Sequence, residues 1–123
     1  MSGVRRLVQR IGWALNGIGY TVKTQPNMQI HLTAAVLAVL LCLYLRMPAR
    51  ELAVVLVTIF MVLAAEMFNT ALEAAVDLYT RKRHPLARAA KDVAAGAVLL
   101  TALNALVVAY LLIWPRFYEV IIK

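Results

Sequence analysis

Residues 52–65 form an almost unbroken apolar run that passes directly into Glu66-Met-Phe-Asn69-Thr-Ala-Leu-Glu73-Ala-Ala-Val-Asp77. Such a stretch predicts one helix that lies in hydrocarbon along most of its length and turns polar at one end. At about 100° per residue, steps of three, four and four from Glu66 to Asn69, Glu73 and Asp77 keep the four side chains within roughly 80° on one face. A carboxylate in or beside hydrocarbon costs at least about 2.5 kcal/mol. Helix association needs only Ser, Thr, Asn or small residues, so three acids and an amide on one line point instead to a cation and something to act on. If the helix begins near Arg50 and Glu51, Glu66 lies roughly 22 Å in, close to the far boundary of a core about 30 Å thick. Glu66 is then expected to meet lipid headgroups, and Glu73 and Asp77 to meet water-soluble ligands.

The composition places that helix in a membrane protein. The 123 residues are 63% apolar and 15% charged, with a mean hydropathy of +0.78, which excludes a soluble globule. The pattern predicts an all-α integral membrane protein of one domain, 1–123. It has an amphipathic surface helix at about 4–23 and spans at about 28–45, 52–78 and 93–114. A net charge of +7 would suit nucleic acid, but its distribution follows membrane topology instead, and no nucleic-acid partner is expected. Arg5, Arg6, Arg10, Lys23, Arg81, Lys82, Arg83, Arg88 and Lys91 fall on one side, against Arg46, Arg50, Arg116 and Lys123 on the other. Nine against four places the N-terminus and the 79–92 loop in the cytoplasm. The acidic end of the middle span then faces the compartment that holds ATP. No cleavable signal peptide is expected, because an amphipathic pattern follows the basic N-terminus. Cys42, the single cysteine, excludes an intramolecular disulfide and reads as core or lipid-facing filler.

Along 4–22 the apolar residues Val4, Leu7, Val8, Ile11, Leu15, Ile18 and Val22 recur at helical spacing, with Arg5, Arg6, Gln9, Arg10 and Asn16 between them. That is the pattern of a helix lying in the membrane plane, either an anchor or a cover over the active site. Gly12, Gly17 and Gly19 weaken it and leave room for a ligand or a second helix. Trp13 and Tyr20 suit the interface. Pro26 ends this helix at Gln25. His31 reads as an interfacial hydrogen-bonding group. The loop Arg81-Lys82-Arg83-His84-Pro85 leads to Lys91-Asp92, expected at the N-terminus of the third span, where a lysine suits phosphate oxygens and an aspartate can hold it or a ribose hydroxyl. Ala94, Ala95, Gly96 and Ala97 permit close helix approach, Thr101 and Asn104 read as interhelical hydrogen bonds, and Tyr110, Trp114 and Tyr118 as an aromatic belt.

Two motifs, Glu66-x-x-Asn69-Thr70-Ala71-x-Glu73-x-x-x-Asp77 and His84-Pro85-Leu86-Ala87-x-x-Ala90-Lys91-Asp92-Val93-Ala94-Ala95-Gly96-Ala97-Val98, resemble those of the small bacterial membrane lipid kinases, the prokaryotic diacylglycerol kinase and undecaprenol kinase family. The likeness covers roughly residues 6–114, and the second motif is worded more like the undecaprenol kinase branch. The resemblance implies that Glu66 is the general base for the lipid hydroxyl and that Glu73 holds a divalent cation, Mg2+, on the ATP phosphates. Asn69 and Asp77 would line the nucleotide site, and Lys91 and Asp92 would bind the nucleotide, with Lys82, Arg83 and His84 on the nucleotide loop and Arg6 and Trp13 reaching in from the N-terminal helix. Gln25 stands where the family has a second, glutamate metal ligand, and Gln29 where it usually has arginine. A glutamine oxygen still coordinates a hard cation but brings no charge.

The resemblance further implies a homotrimer in the bacterial inner membrane, with active sites shared between chains on the cytoplasmic side. The expected reaction is transfer of the ATP γ-phosphoryl group to the hydroxyl of a membrane lipid alcohol: undecaprenol first, otherwise diacylglycerol. A catalytically degenerate relative that binds lipid or assists assembly is the rival reading, motivated by Gln25 and Gln29. A small multidrug-type transporter would not need the Lys91-Asp92 pair or a row of acids reaching into the cytoplasm.

Overall fold

The structure, a computed structural model, describes residues 3–122; Lys123, counted above for topology, lies outside them. The element order is α1 (Gly3–Thr24), α2 (Pro26–Tyr44), α3 (Ala49–Tyr79), α4 (Pro85–Val108), a π-helical turn (Ala109–Ile113) and α5 (Trp114–Ile122). Among the described residues, three helical stretches are long and apolar enough to cross a membrane: Pro26–Tyr44, Ala49–Tyr79 and Pro85–Ile122. The protein is an all-α membrane protein.

A single extended residue, Gln25 (φ −110°, ψ 110°), separates α1 from α2. Proline at the first position of α2 has no N–H to leave unpaired and disfavours helix in the residue before it, which confines the break to Gln25. The apolar stripe of α1 is not packed on the bundle: Leu7, Val8, Ile11 and Leu15 are all more than half exposed. That arrangement suits a helix whose greasy face lies in lipid. A methyl group added at Gly12, Gly17 or Gly19 would meet nothing within 4 Å, so no neighbour in this chain uses the space those glycines leave.

α3 is the centre of the fold, with α2 and α4 packed against it. Its buried residues are Val55, Thr58, Val62, Glu66, Asn69 and Thr70. The steps between them match one helix face, so the polar row foreseen in the sequence is the inward continuation of the packing face. Small residues of α4, among them Ala87, Ala90, Ala94, Ala102 and Ala105, are half-buried along its inner stripe and keep the helices close. Gly96 is not part of that contact, since an added Cβ there meets nothing. Thr101 donates to the carbonyl of Val98 in its own helix and Asn104 is exposed, so neither forms the interhelical bond expected of it.

At the end far from the polar row, α2 stops in a tight turn. Met47 N–H donates to the carbonyl of Cys42 and Arg46 N–H to that of Leu43, both at 3.0 Å, the pairing of a helix that ends on a left-handed residue. That residue is Arg46, at φ 51°, where glycine is the usual occupant. Arg46→Gly is expected to stabilise the fold by about 1 kcal/mol, the usual penalty for a side chain in that conformation. A rise in the thermal unfolding temperature in detergent checks it. Cys42 is fully buried beneath this turn with Met47, Val55 and Ile113, so it is core rather than lipid-facing.

Two features depart from the spans read in the sequence. α4 begins at Pro85, two turns before Lys91. Proline at the first helical position is preorganised for helix, His84 caps the start by accepting from Leu86 N–H at 3.2 Å, and Leu-Ala-Arg-Ala-Ala-Lys are strong helix formers. Lys91 and Asp92 therefore project from the side of α4 and do not stand at its N-terminus. The second departure is the π turn before Pro115. A regular helix would need an N–H at 115 and would push the proline ring into the carbonyl of Leu111. Widening the preceding turn, where Trp114 N–H bonds to Ala109, relieves both. The helix then continues as α5.

Candidate active site

The four residues of the polar row are graded in burial. Glu66 is 1% exposed and Asn69 7%, Glu73 is half-buried and Asp77 exposed. Glu66 reaches this burial within one chain, on the helix against which α2 and α4 pack. Asn69 links the row by donating its Nδ2 to Glu73 Oε1 at 3.3 Å. Glu66 Oε2 and Asn69 Oδ1 have no hydrogen-bond partner. A buried carboxylate oxygen left unpaired is strongly unfavourable unless a ligand completes it. The ionisable groups whose fields reach Glu66 are His31 of α2 and Glu73.

One helical turn beyond Glu73 the row opens onto a cleft of about 760 Å³, a size common for small-molecule sites. Asp77, Lys82, Arg83, His84, Lys91 and Asp92, six of the expected nucleotide residues, line it together with Arg81 and Arg88. Lys91 pairs with Asp77 across the two helices, and Arg88 with Asp92 one turn along α4 at 3.6 Å. Five basic side chains against two acidic ones give the cleft the sign that a polyphosphate needs. His84 Nδ1 is occupied by the helix cap, which leaves Nε2 to face the cleft.

Arg81 and Arg88 were read only as topology signals. Their spacing carried more: Arg88 stands three residues before Lys91, on the same face of a helix. Three expected residues lie apart from the cleft. Arg6 and Trp13 are exposed on α1, and Gln25, between α1 and α2, points its amide nitrogen at Thr24 Oγ1 (3.4 Å). Gln29 donates instead to the carbonyl of Val22 at 3.0 Å, holding the α1–α2 corner.

Among the described residues no three His, Cys, Asp or Glu side chains gather as a metal cage. Mg2+ does not require one, since it commonly takes one or two carboxylates and completes its shell with waters and substrate phosphates. A half-buried Glu73, held by Asn69 and one turn from the basic cleft, fits that donor set.

Residues 12–113 match the family described as prokaryotic diacylglycerol kinase. The chain belongs to the prokaryotic diacylglycerol kinase family. It is 42% identical over 101 residues to the undecaprenol kinase of Bacillus subtilis, an overlap covering 81% of each chain. To the diacylglycerol kinase of Synechocystis it is 41% identical over 107 residues, 86% of this chain and 60% of that one. To the diacylglycerol kinase of Escherichia coli K12 it is 26% identical over 116 residues, 94% and 95% of the two chains. As a member of this diacylglycerol kinase family, the protein is a membrane lipid kinase that uses ATP.

Proposed function

We propose that the protein transfers the γ-phosphoryl group of ATP to the hydroxyl of a single-tailed membrane alcohol, undecaprenol in the first instance, with diacylglycerol the poorer acceptor. The reading is carried by one observation: the carboxylate of Glu66, with a buried oxygen that has no partner, sits on the same face of α3 between a basic water-facing cleft and an apolar cavity. The cavity holds about 320 Å³ and begins at His31; its α2 wall is alanine at Ala34, Ala35 and Ala38, and α4 adds Ala102 and Ala105 among larger aliphatic residues. It continues the Glu66 line outward past Val62, Thr58 and Val55. A slot of this size accommodates one hydrocarbon chain, and alanine walls leave width for the methyl branches of a polyprenyl tail. Diacylglycerol would have to leave its second chain outside.

In this reading Glu66 accepts the proton of the lipid hydroxyl as oxygen attacks phosphorus, and Asn69 orients the row through Glu73. Lys91, Lys82, Arg83 and His84 hold the phosphates, and Asp77 and Asp92 position the lysine and arginine that face them. Glu73 would hold Mg2+, which would neutralise charge on the phosphates. Phosphoryl transfer depends mainly on such positioning and charge neutralisation. The distribution of basic residues supports a cytoplasmic cleft in a bacterial inner membrane. Family likeness supports a homotrimer whose chains share sites, and one domain over the whole chain.

Purified protein supplied with radiolabelled ATP, Mg2+ and either undecaprenol or diacylglycerol tests the proposal. Undecaprenyl phosphate is expected to form faster; absence of turnover on every lipid alcohol would instead favour a degenerate, lipid-binding role. Ala105→Leu, which fills the cavity, is expected to raise KM for undecaprenol at least about tenfold, the worth of one or two displaced methylene contacts, while the affinity for ATP stays unchanged. Titration of initial rates against each substrate reads both.

A further inference from the structure

Residues 114–122 lie outside the family match, which ends at residue 113, and nothing in the phosphoryl-transfer reading uses them. The helical stretch Pro85–Ile122 has 38 residues and is about 57 Å long, more than a whole bilayer of about 40–45 Å. Arg88, Lys91 and Asp92 must stand in water to line the cleft. If hydrocarbon begins just after them, its thickness of about 30 Å is used up near residue 113. α5 therefore starts where the far headgroup layer starts, directly after the turn that Pro115 widens.

The side chains of α5 sort by face. Trp114, Phe117, Tyr118 and Ile121 follow the i, i+3, i+4, i+7 pattern of one face, while Arg116 and Glu119 fall elsewhere. Arg116 is tied down: its Nε and one terminal nitrogen donate to the two carboxylate oxygens of Glu51 at 2.8 and 2.7 Å. This two-bonded fork fixes direction as well as position. Its consequence is that Trp114, Tyr118 and Ile121 are left 52%, 54% and 64% exposed. The rings are clustered, with Trp114 6.2 Å from Phe117 and 6.4 Å from Tyr118. Beside them an apolar cleft of about 470 Å³ opens between Leu37 and Leu41 of α2 and Tyr110, Trp114 and Phe117.

We propose that α5 is a lipid-surface anchor lying in the headgroup layer at the end opposite the basic cleft, clasped to α3 through Arg116 and Glu51, with its aromatic face embedded among lipids. Three observations favour lipid over a second copy of the chain as the occupant. The helix continues a span and begins at the hydrocarbon boundary. Two of its three rings, Trp114 and Tyr118, have polar edges that suit the headgroup level. Arg46 and Arg50 at the same end are exposed and free to meet headgroup phosphates.

The test places a nitroxide label at Ile121→Cys or at Glu119→Cys in full-length Cys42→Ala protein, reconstituted in vesicles of phosphatidylcholine and phosphatidylglycerol. The label at 121 is expected to collide with oxygen and be shielded from a water-soluble nickel reagent, and the label at 119 to show the reverse. Equal nickel access at both positions would overturn the proposal by putting α5 in water. Spin–spin broadening at 121 would overturn it in favour of a second copy. Adding Arg116→Ala is expected to raise nickel access at 121; no change would remove the clasp from the proposal. Should the Cys42→Ala background fail to fold, quenching of Trp114 by brominated lipids in a Trp13→Phe chain reads the same depth. Strong quenching supports the anchor and none refutes it.

Discussion

Glu66→Gln is expected to reduce phosphoryl transfer at least about 10³-fold, within the usual contribution of a positioned general base, while ATP still binds. The substitution keeps the shape of the side chain and its hydrogen-bonding capacity but removes the ability to take a proton. Because Glu66 is buried and Asp77 exposed, with the basic cleft beginning at Val76, the loss should fall on turnover and leave nucleotide affinity alone. Equilibrium binding of a non-hydrolysable ATP analogue, measured beside steady-state rates, separates the two quantities. Loss of nucleotide binding in this variant would contradict the assigned role. The variant should also fold at least as well as the parent, since an amide lowers the cost of burying an unpaired carboxylate oxygen.

Glu73→Lys is expected to produce the opposite split. It removes the carboxylate proposed to hold Mg2+ and accepts no hydrogen bond from Asn69, and it adds a cation one turn from Asp77. A hydrogen bond to a charged group contributes about 1.5–3 kcal/mol, so KM for Mg-ATP should rise roughly 100-fold. Raising the Mg2+ concentration should not restore it. Unchanged Mg-ATP affinity would move the cation elsewhere in the site.

Much of this architecture was legible because α3 carries it in plain order. An apolar run followed by acids at steps of three and four fixes both a span and a functional face, and the structure keeps Glu66, Asn69, Glu73 and Asp77 on that face. The α1 stripe was equally readable from its period, and Gln25–Pro26 from the rule that a residue before proline leaves the helix. A loop reading of Pro85 misplaces Lys91, since proline is as comfortable at the first position of a helix. The cover over Glu66 was not legible, since which helices flank α3 depends on tertiary packing that no local period encodes. Neither was the π turn, whose cause is a proline placed one turn further on. The cleft's extra arginines were visible as letters, but Arg81 in the loop and Arg88 on α4 line one cleft with Asp77 only through tertiary packing.

In the proposed reaction, the grading of the row from a dry glutamate to a wet aspartate decides where each reactant waits. A greasy alcohol can drift sideways within its own leaflet and present its oxygen to Glu66 without ever being extracted into solution. ATP needs only to dock from the aqueous side. Glu66 has taken the proton by the time the phosphate forms, so the newly charged head sits beside a dry, neutral acid while water solvates it far better. Hydration then draws the head outward while the tail slides back into the lipid, so departure follows from the same burial that governs attack.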